Sequence, residues 1–162
     1  MSLHSLKRIQ VIPVSLEEAW DFFSSPLNLD IITPPDMNFR VRSEFKKADR
    51  VFAGMMIQYT VSPLFKIPLR WTTEITEVQH HHHFIDEQRK GPFAYWHHEH
   101  FFEEVNEGVK MTDRVSWRVP GWIFGDLINM LVVQKRVEAI FEFRKLKMQE
   151  LFGTISPAYP GR

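Results

Sequence analysis

Residues 95–119 read YWHHEHFFEEVNEGVKMTDRVSWRV. The pattern is two alternating runs, Tyr95–Glu104 and Val109–Val119, either side of a short polar turn, which predicts an antiparallel hairpin. In the second run Met111, Asp113, Val115, Trp117 and Val119 share one face. Lys110, Thr112, Arg114 and Arg118 share the other, which belongs in water. If the turn closes through Val105, Asn106, Glu107 and Gly108, Glu104 lies opposite Val109 and the register follows by counting. Phe102 then faces Met111, His100 faces Asp113, His98 faces Val115 and Trp96 faces Trp117, all eight on the inward side. One interior face thus carries aromatic rings together with two imidazoles and a carboxylate.

Working outward, strands are expected at Leu6–Val14, Phe39–Phe45, Met55–Val61, Ile67–Val78 and His82–Gln88, which with the hairpin makes seven. Between the first and second, Ser15 followed by Glu18 reads as a capping box opening a short helix through Phe23. Pro26–Ile32 offers another turn or two of helix before Pro34 and Pro35 stop it. After Gly125 a helix is expected from about Asp126 to Leu151, with Leu127, Met130, Leu131, Val137, Phe141 and Met148 as its apolar stripe. A strongly curved antiparallel sheet with a long helix laid on it is the economical arrangement, and it leaves room for a cavity between the two.

The 162 residues carry 20 Lys+Arg, 20 Asp+Glu and no Cys, with 44% hydrophobic and 14% aromatic residues. That is the composition of a globular domain, and its zero formal charge argues against a nucleic-acid backbone as partner. Disulfides, a thiolate nucleophile and a cysteine zinc site are excluded, and no run approaches the length of a membrane span. The N-terminus lacks the apolar run of a secretory signal, so a cytoplasmic location is expected. No repeat or linker divides the chain. One domain over residues 1–154 is expected, followed by an irregular tail, 155–162.

The order of elements, together with SLEEAWDFFSSPLNLDIITPP (15–35), FIDEQRKGPFAYWHHEHFFEEV (84–105) and MTDRV (111–115), resembles the START-like helix-grip superfamily (SRPBCC). Within it, these stretches look like the polyketide cyclase/dehydrase and lipid-transport branch. The resemblance implies an α+β helix-grip fold: a curved seven-stranded antiparallel sheet wrapped around a C-terminal helix, with two short helices after the first strand. It also implies a ligand cavity between sheet and helix. Fold alone does not choose among the binders, cyclases and chaperone activators of the superfamily.

The inward groups nominate the site. His98, His100 and Asp113 are expected to form a hydrogen-bonded cluster, with Asp86 brought near His98 by the preceding strand and Gln88 on the same parity as Asp86. A buried carboxylate or imidazole needs a partner. Three roles are open: mutual satisfaction that fixes register, orientation of a ligand, or acid–base catalysis by a His backed by Asp. Ligand contacts are expected from Trp71, Asp86, Gln88, Trp96, His98, His100, Phe102, Met111, Asp113, Val115, Trp117, Met130, Val137 and Phe141. Trp20 reads as helix core and Trp122 as packing at the last helix entrance.

No cofactor is expected. The run His80–His83 and the His98-x-His100 pair invite a metal, but a zinc site wants three or four convergent ligands with an ordered second shell, so none is assigned. The histidine run reads as a solvated turn. Arg89–Phe93 is either a plain Gly-Pro turn or a gate over the cavity, and Ile32–Met37 borders the same mouth. The leading functional expectation is a binder of a small to medium hydrophobic molecule such as a lipid, polyketide or aromatic metabolite. The alternatives are a cyclase or dehydratase using the His/Asp cluster, or an interaction module with a filled core. Monomer and homodimer are both open.

Overall fold

The computed structural model describes residues 2–63, 66–121 and 126–155. The expected places of Trp122 and Gly125 at the helix entrance, and most of the irregular tail, lie outside the described residues. Seven strands form one antiparallel sheet: β1 (His4–Ile12), β2 (Arg40–Val41), β3 (Met56–Val61), β4 (Leu69–Gln79), β5 (His83–Lys90), β6 (Tyr95–Val105) and β7 (Gly108–Arg118). Their spatial order is β1-β7-β6-β5-β4-β3-β2, so the first strand returns to pair with the last. The β6–β7 hairpin has the register that alternation dictates, with Phe102 opposite Met111, His100 opposite Asp113, His98 opposite Val115 and Trp96 opposite Trp117. Asp86 lies opposite His98 across β5–β6.

Local departures have local causes. α1 (Leu16–Phe23) begins where Ser15 accepts a hydrogen bond from the Glu18 amide at 3.2 Å. The second short helix is a single 3-10 turn, Pro26–Asn28, after which Asn28 spends its side-chain amide on the Phe22 carbonyl. β2 is two residues long rather than seven. Arg42 and Ser43 both donate their amides to the Gln58 carbonyl and the Ser43 hydroxyl takes the Gln58 amide, so the ladder bulges and stops there.

The C-terminal helix departs in phase. Residues 126–128 are helical, Asn129–Val133 form a wide turn in which the Gln134 amide reaches back five residues to Asn129, and α2 (Gln134–Phe152) follows. A five-residue hydrogen bond takes in one more residue than the regular four. Asn129 and Val133 therefore point inward with Val137, Phe141 and Met148, whereas Leu127, Met130 and Leu131 turn to solvent, Met130 at 60% exposure. The stripe expected from unbroken helical spacing is correct only beyond the wide turn.

Two larger regions of core result, beside a smaller one of Met37, Val61 and Trp71. One lies under α1, where Trp20, Phe23, Phe84, Phe102, Met111 and Met148 pack together. The other joins Val115, Trp117 and Val119 of the β7 end to Val133, Val137 and Phe141 of the helix. β1 forms one edge of the sheet, and there Arg8 folds back so that its Nη1 donates to the Lys7 carbonyl at 3.1 Å.

Candidate functional site

Between the sheet and α2 lie two adjoining hollows whose shared wall includes Tyr59, Trp96, His98 and Arg144. The outer one, about 490 Å3, is lined mainly by apolar side chains, among them Trp71, Phe93, Trp96, Val137 and Phe141. The inner one, about 150 Å3, ends on Asp86, His98 and His100. A further hollow of about 510 Å3 beside Lys7, Glu103, Lys110 and Arg114 contains none of the cluster residues.

The polar end follows from strand register. His98 and His100 are two apart on β6, so both rings point inward, with centroids 3.8 Å apart. Asp86 on β5 and Asp113 on β7 flank them. Asp113 Oδ1 lies 3.0 Å from His98 Nε2 and 3.0 Å from His100 Nδ1, the latter off the hydrogen-bond direction. Asp86 Oδ2 lies 2.8 Å from His100 Nε2 and 3.5 Å from His98 Nδ1. Arg144 of α2 completes the group with its Nη1 3.4 Å from Asp113. His98, His100 and Asp113 are all buried.

These contacts decide the charge states. Burial pushes the Asp113 carboxyl up, but the two imidazoles and Arg144 outweigh it and hold it well below the usual carboxylate range. Asp86 is lowered by the same contest of burial against His100, His98 and Arg144. Burial and the neighbouring His100 depress His98, while at His100 the Asp113 and Asp86 carboxylates overcome burial and raise it. Burial also drives the Tyr59 phenol far up, opposed by its hydrogen bond to Thr73 at 3.1 Å, so the phenol stays neutral.

Of the residues nominated from sequence, Trp71, Trp96, His98, Val137 and Phe141 line the outer hollow, and Asp86 and His100 join the inner one. Asp113 stands behind the imidazoles. Six others are placed elsewhere. Gln88 has its amide committed to the Phe93 backbone, donating to the carbonyl at 2.7 Å and accepting from the N–H at 3.2 Å. It therefore clamps the Arg89–Phe93 loop, whose Phe93 ring packs on Trp71 and Trp96. Phe102 and Met111 belong to the core under α1, Val115 and Trp117 to the core beside the wide turn, and Met130 faces solvent. Trp117 donates its indole N–H to the buried Asn129 side chain at 2.7 Å.

Sequence reasoning missed Arg144, Arg136 and Tyr59. Arg144 had a signal: it stands three after Phe141 and four before Met148, a cation inside the buried stripe. The histidine run is a turn at His80–His82, with His83 buried and bonded to Glu77 at 2.8 Å.

No protein-family profile matches the chain, and no curated protein matches it in sequence. Solved structures do. Protein CV1439 from Chromobacterium violaceum superposes with a TM-score of 0.67 at 10% identity, covering 93% of this chain and 98% of that one. Ara h 8.0201 matches with a TM-score of 0.58 at 14% identity over 92% and 99% of the two chains. The chain has the helix-grip fold. A Thalictrum norcoclaurine synthase point mutant, solved with a transition state analogue, gives a TM-score of 0.61 at 12% identity over 93% and 97%. At such identities the likeness is one of fold, which is the helix-grip fold that the sequence resemblance implied. Among the described residues of this helix-grip chain, no helix is long and apolar enough to cross a membrane.

Proposed function

We propose that this protein binds one small to medium apolar molecule bearing an oxygen acceptor, a carbonyl or carboxylate, with its apolar body in the outer hollow. The observation that carries this is a set of unspent donors. Trp71 Nε1, Arg136 Nε and Arg144 Nε are buried with no partner among the described residues, and all three side chains line that hollow. Leaving a buried donor unmade costs about 1–3 kcal/mol, more when it is charged. A molecule that brings acceptors recovers this, while its apolar part gains about 25 cal/mol per Å2 of surface removed from water. The volume of the outer hollow is within the ordinary range for small-molecule sites, about 300–1,000 Å3. The resemblance to the polyketide cyclase/dehydrase and lipid-transport branch supports lipids, polyketides and ring-bearing metabolites as the class. A cytoplasmic protein without a nucleic-acid partner fits this reading.

The test is native mass spectrometry on untagged protein from its own host, followed by denaturing extraction. An apolar carbonyl or carboxylate compound retained at one per chain is expected. In Trp71→Phe, which keeps the aromatic wall and removes only the N–H, affinity for that compound should fall about tenfold. An unladen chain that also takes up no such compound when it is added would overturn the reading. A second reading, acid–base catalysis, draws on one observation: His98 lines both hollows while Asp113 holds its Nε2. It requires that the extracted compound be converted by the wild-type chain.

A further inference from the structure

Each imidazole of the cluster meets a carboxylate at both of its nitrogens. His98 Nδ1 and His100 Nε2 face Asp86, at 3.5 and 2.8 Å, and His98 Nε2 and His100 Nδ1 face Asp113, both at 3.0 Å. Only two of these contacts are hydrogen bonds, His98 Nε2 with Asp113 and His100 Nε2 with Asp86, as two neutral rings with one N–H each can supply, and His98 Nδ1 and His100 Nδ1 make none. A divalent cation in place of the proton between His100 Nε2 and Asp86 engages both of those atoms together with the idle lone pair of His98 Nδ1.

We propose that Asp86 Oδ2, His98 Nδ1 and His100 Nε2 hold a divalent transition-metal ion at the inner end of the cavity. The three donors lie within 4.8 Å of one another. Bonds of about 2.0–2.2 Å to a tetrahedral ion set ligand atoms about 3.3–3.6 Å apart, so the donors reach that spacing with small side-chain shifts. Two imidazoles and one carboxylate suit zinc, cobalt or iron(II) rather than calcium or magnesium, which prefer all-oxygen shells. Asp113 then takes the role of a carboxylate that receives the far N–H of a metal-bound histidine, through its 3.0 Å hydrogen bond with His98 Nε2, and so fixes the tautomer that turns the His98 Nδ1 lone pair toward Asp86. Asp113 is itself held by Arg144 at 3.4 Å. Three protein ligands leave at least one coordination position open, and all three line the inner hollow, where an oxygen of a bound molecule can reach it.

This goes beyond the binding of an apolar molecule and does not depend on it, because the test uses metal alone. Co2+ is titrated into the chelator-treated, untagged full chain carrying His80→Gln, His81→Gln and His82→Gln to silence the surface histidines. Saturation at one Co2+ per chain with visible d–d bands is expected. Asp86→Asn or His98→Gln should weaken binding by more than about 100-fold, and Asp113→Asn by about 10–100-fold with the bands retained. Where a variant fails to fold, the paramagnetic effect on backbone amide signals of the chain with its cluster intact decides. Signals of residues 84–88, 96–102 and 111–115 should broaden first. Absence of bands at millimolar Co2+, unchanged affinity in Asp86→Asn, or broadening centred elsewhere would overturn the proposal. None of these results bears on whether an apolar molecule is retained.

Discussion

Asp113→Ala is expected to lower the stability of the metal-free chain by about 3–5 kcal/mol, as breaking a buried ion pair from one side does. Asp113 contacts His98, His100 and Arg144 at 3.0, 3.0 and 3.4 Å, so its loss leaves Arg144 and the raised imidazole of His100 facing only Asp86. Urea denaturation in EDTA measures the change, and a loss below about 1 kcal/mol would mean that the cluster relaxes into solvent without it. The same contacts set a pH profile. Asp86 and Asp113 are depressed below 3.8, so their contribution is present above that pH and is lost as pH falls through their folded-state values. His98 is depressed below 6.5, so the unfolded chain binds more protons just under that pH and stability rises toward it. His100 is raised above 6.5, so its contribution is full below that pH and fades as pH climbs through its folded-state value. The urea midpoint of the metal-free chain should therefore be highest near pH ~6.5. In His100→Gln the alkaline fall should flatten; an alkaline limb unchanged by that substitution would remove His100 as its source.

Trp117→Ala is expected to cost about 3–5 kcal/mol, the range for truncating a large buried aromatic. Its ring is 1% exposed between Val115, Val119 and the helix, and its N–H holds Asn129, which opens the wide turn. Truncation opens a void and leaves the buried Asn129 Oδ1 without its donor. The neighbouring Trp96 lines the hollows instead, so Trp96→Ala should cost clearly less stability. Thermal and urea unfolding of the two variants side by side check this, and equal losses would contradict the different roles given to two rings that face each other across one hairpin.

The contrast shows what alternation can and cannot convey. Period two placed His98, His100, Asp113, Trp96 and Trp117 on one face, and the register put Asp86 beside His98, so the polar cluster was legible from spacing in three strands. Alternation cannot say how far the helix stands from that face at each point. Trp96 and Trp117 share parity, yet one borders open volume and the other is pressed against Val133 and Val137. Met130 was misplaced because helical spacing assumes 3.6 residues per turn throughout, and the wide turn at Asn129–Val133 breaks that assumption without a proline or glycine to announce it. Gln88 has the parity of a lining residue, but its amide matches the Phe93 backbone, a contact between residues five apart that depends on the loop closing. Arg144 was overlooked because a lone cation in a charged helix looks like solvated surface until the stripe around it is phased.

The free margin of β1 bears on how copies of the chain meet. A nine-residue edge strand is a template for annealing to a second sheet, and Ile9 on it and Leu3 just before it are more than half exposed. Lys7 and Arg8 sit at its centre, so an antiparallel strand docking there would bring like charges together. Because Arg8 Nη1 already occupies the Lys7 carbonyl, that strand would have to displace a guanidinium to extend the ladder. What stands in the way of fibrous self-association at this edge is thus a side chain bonded to its own neighbour.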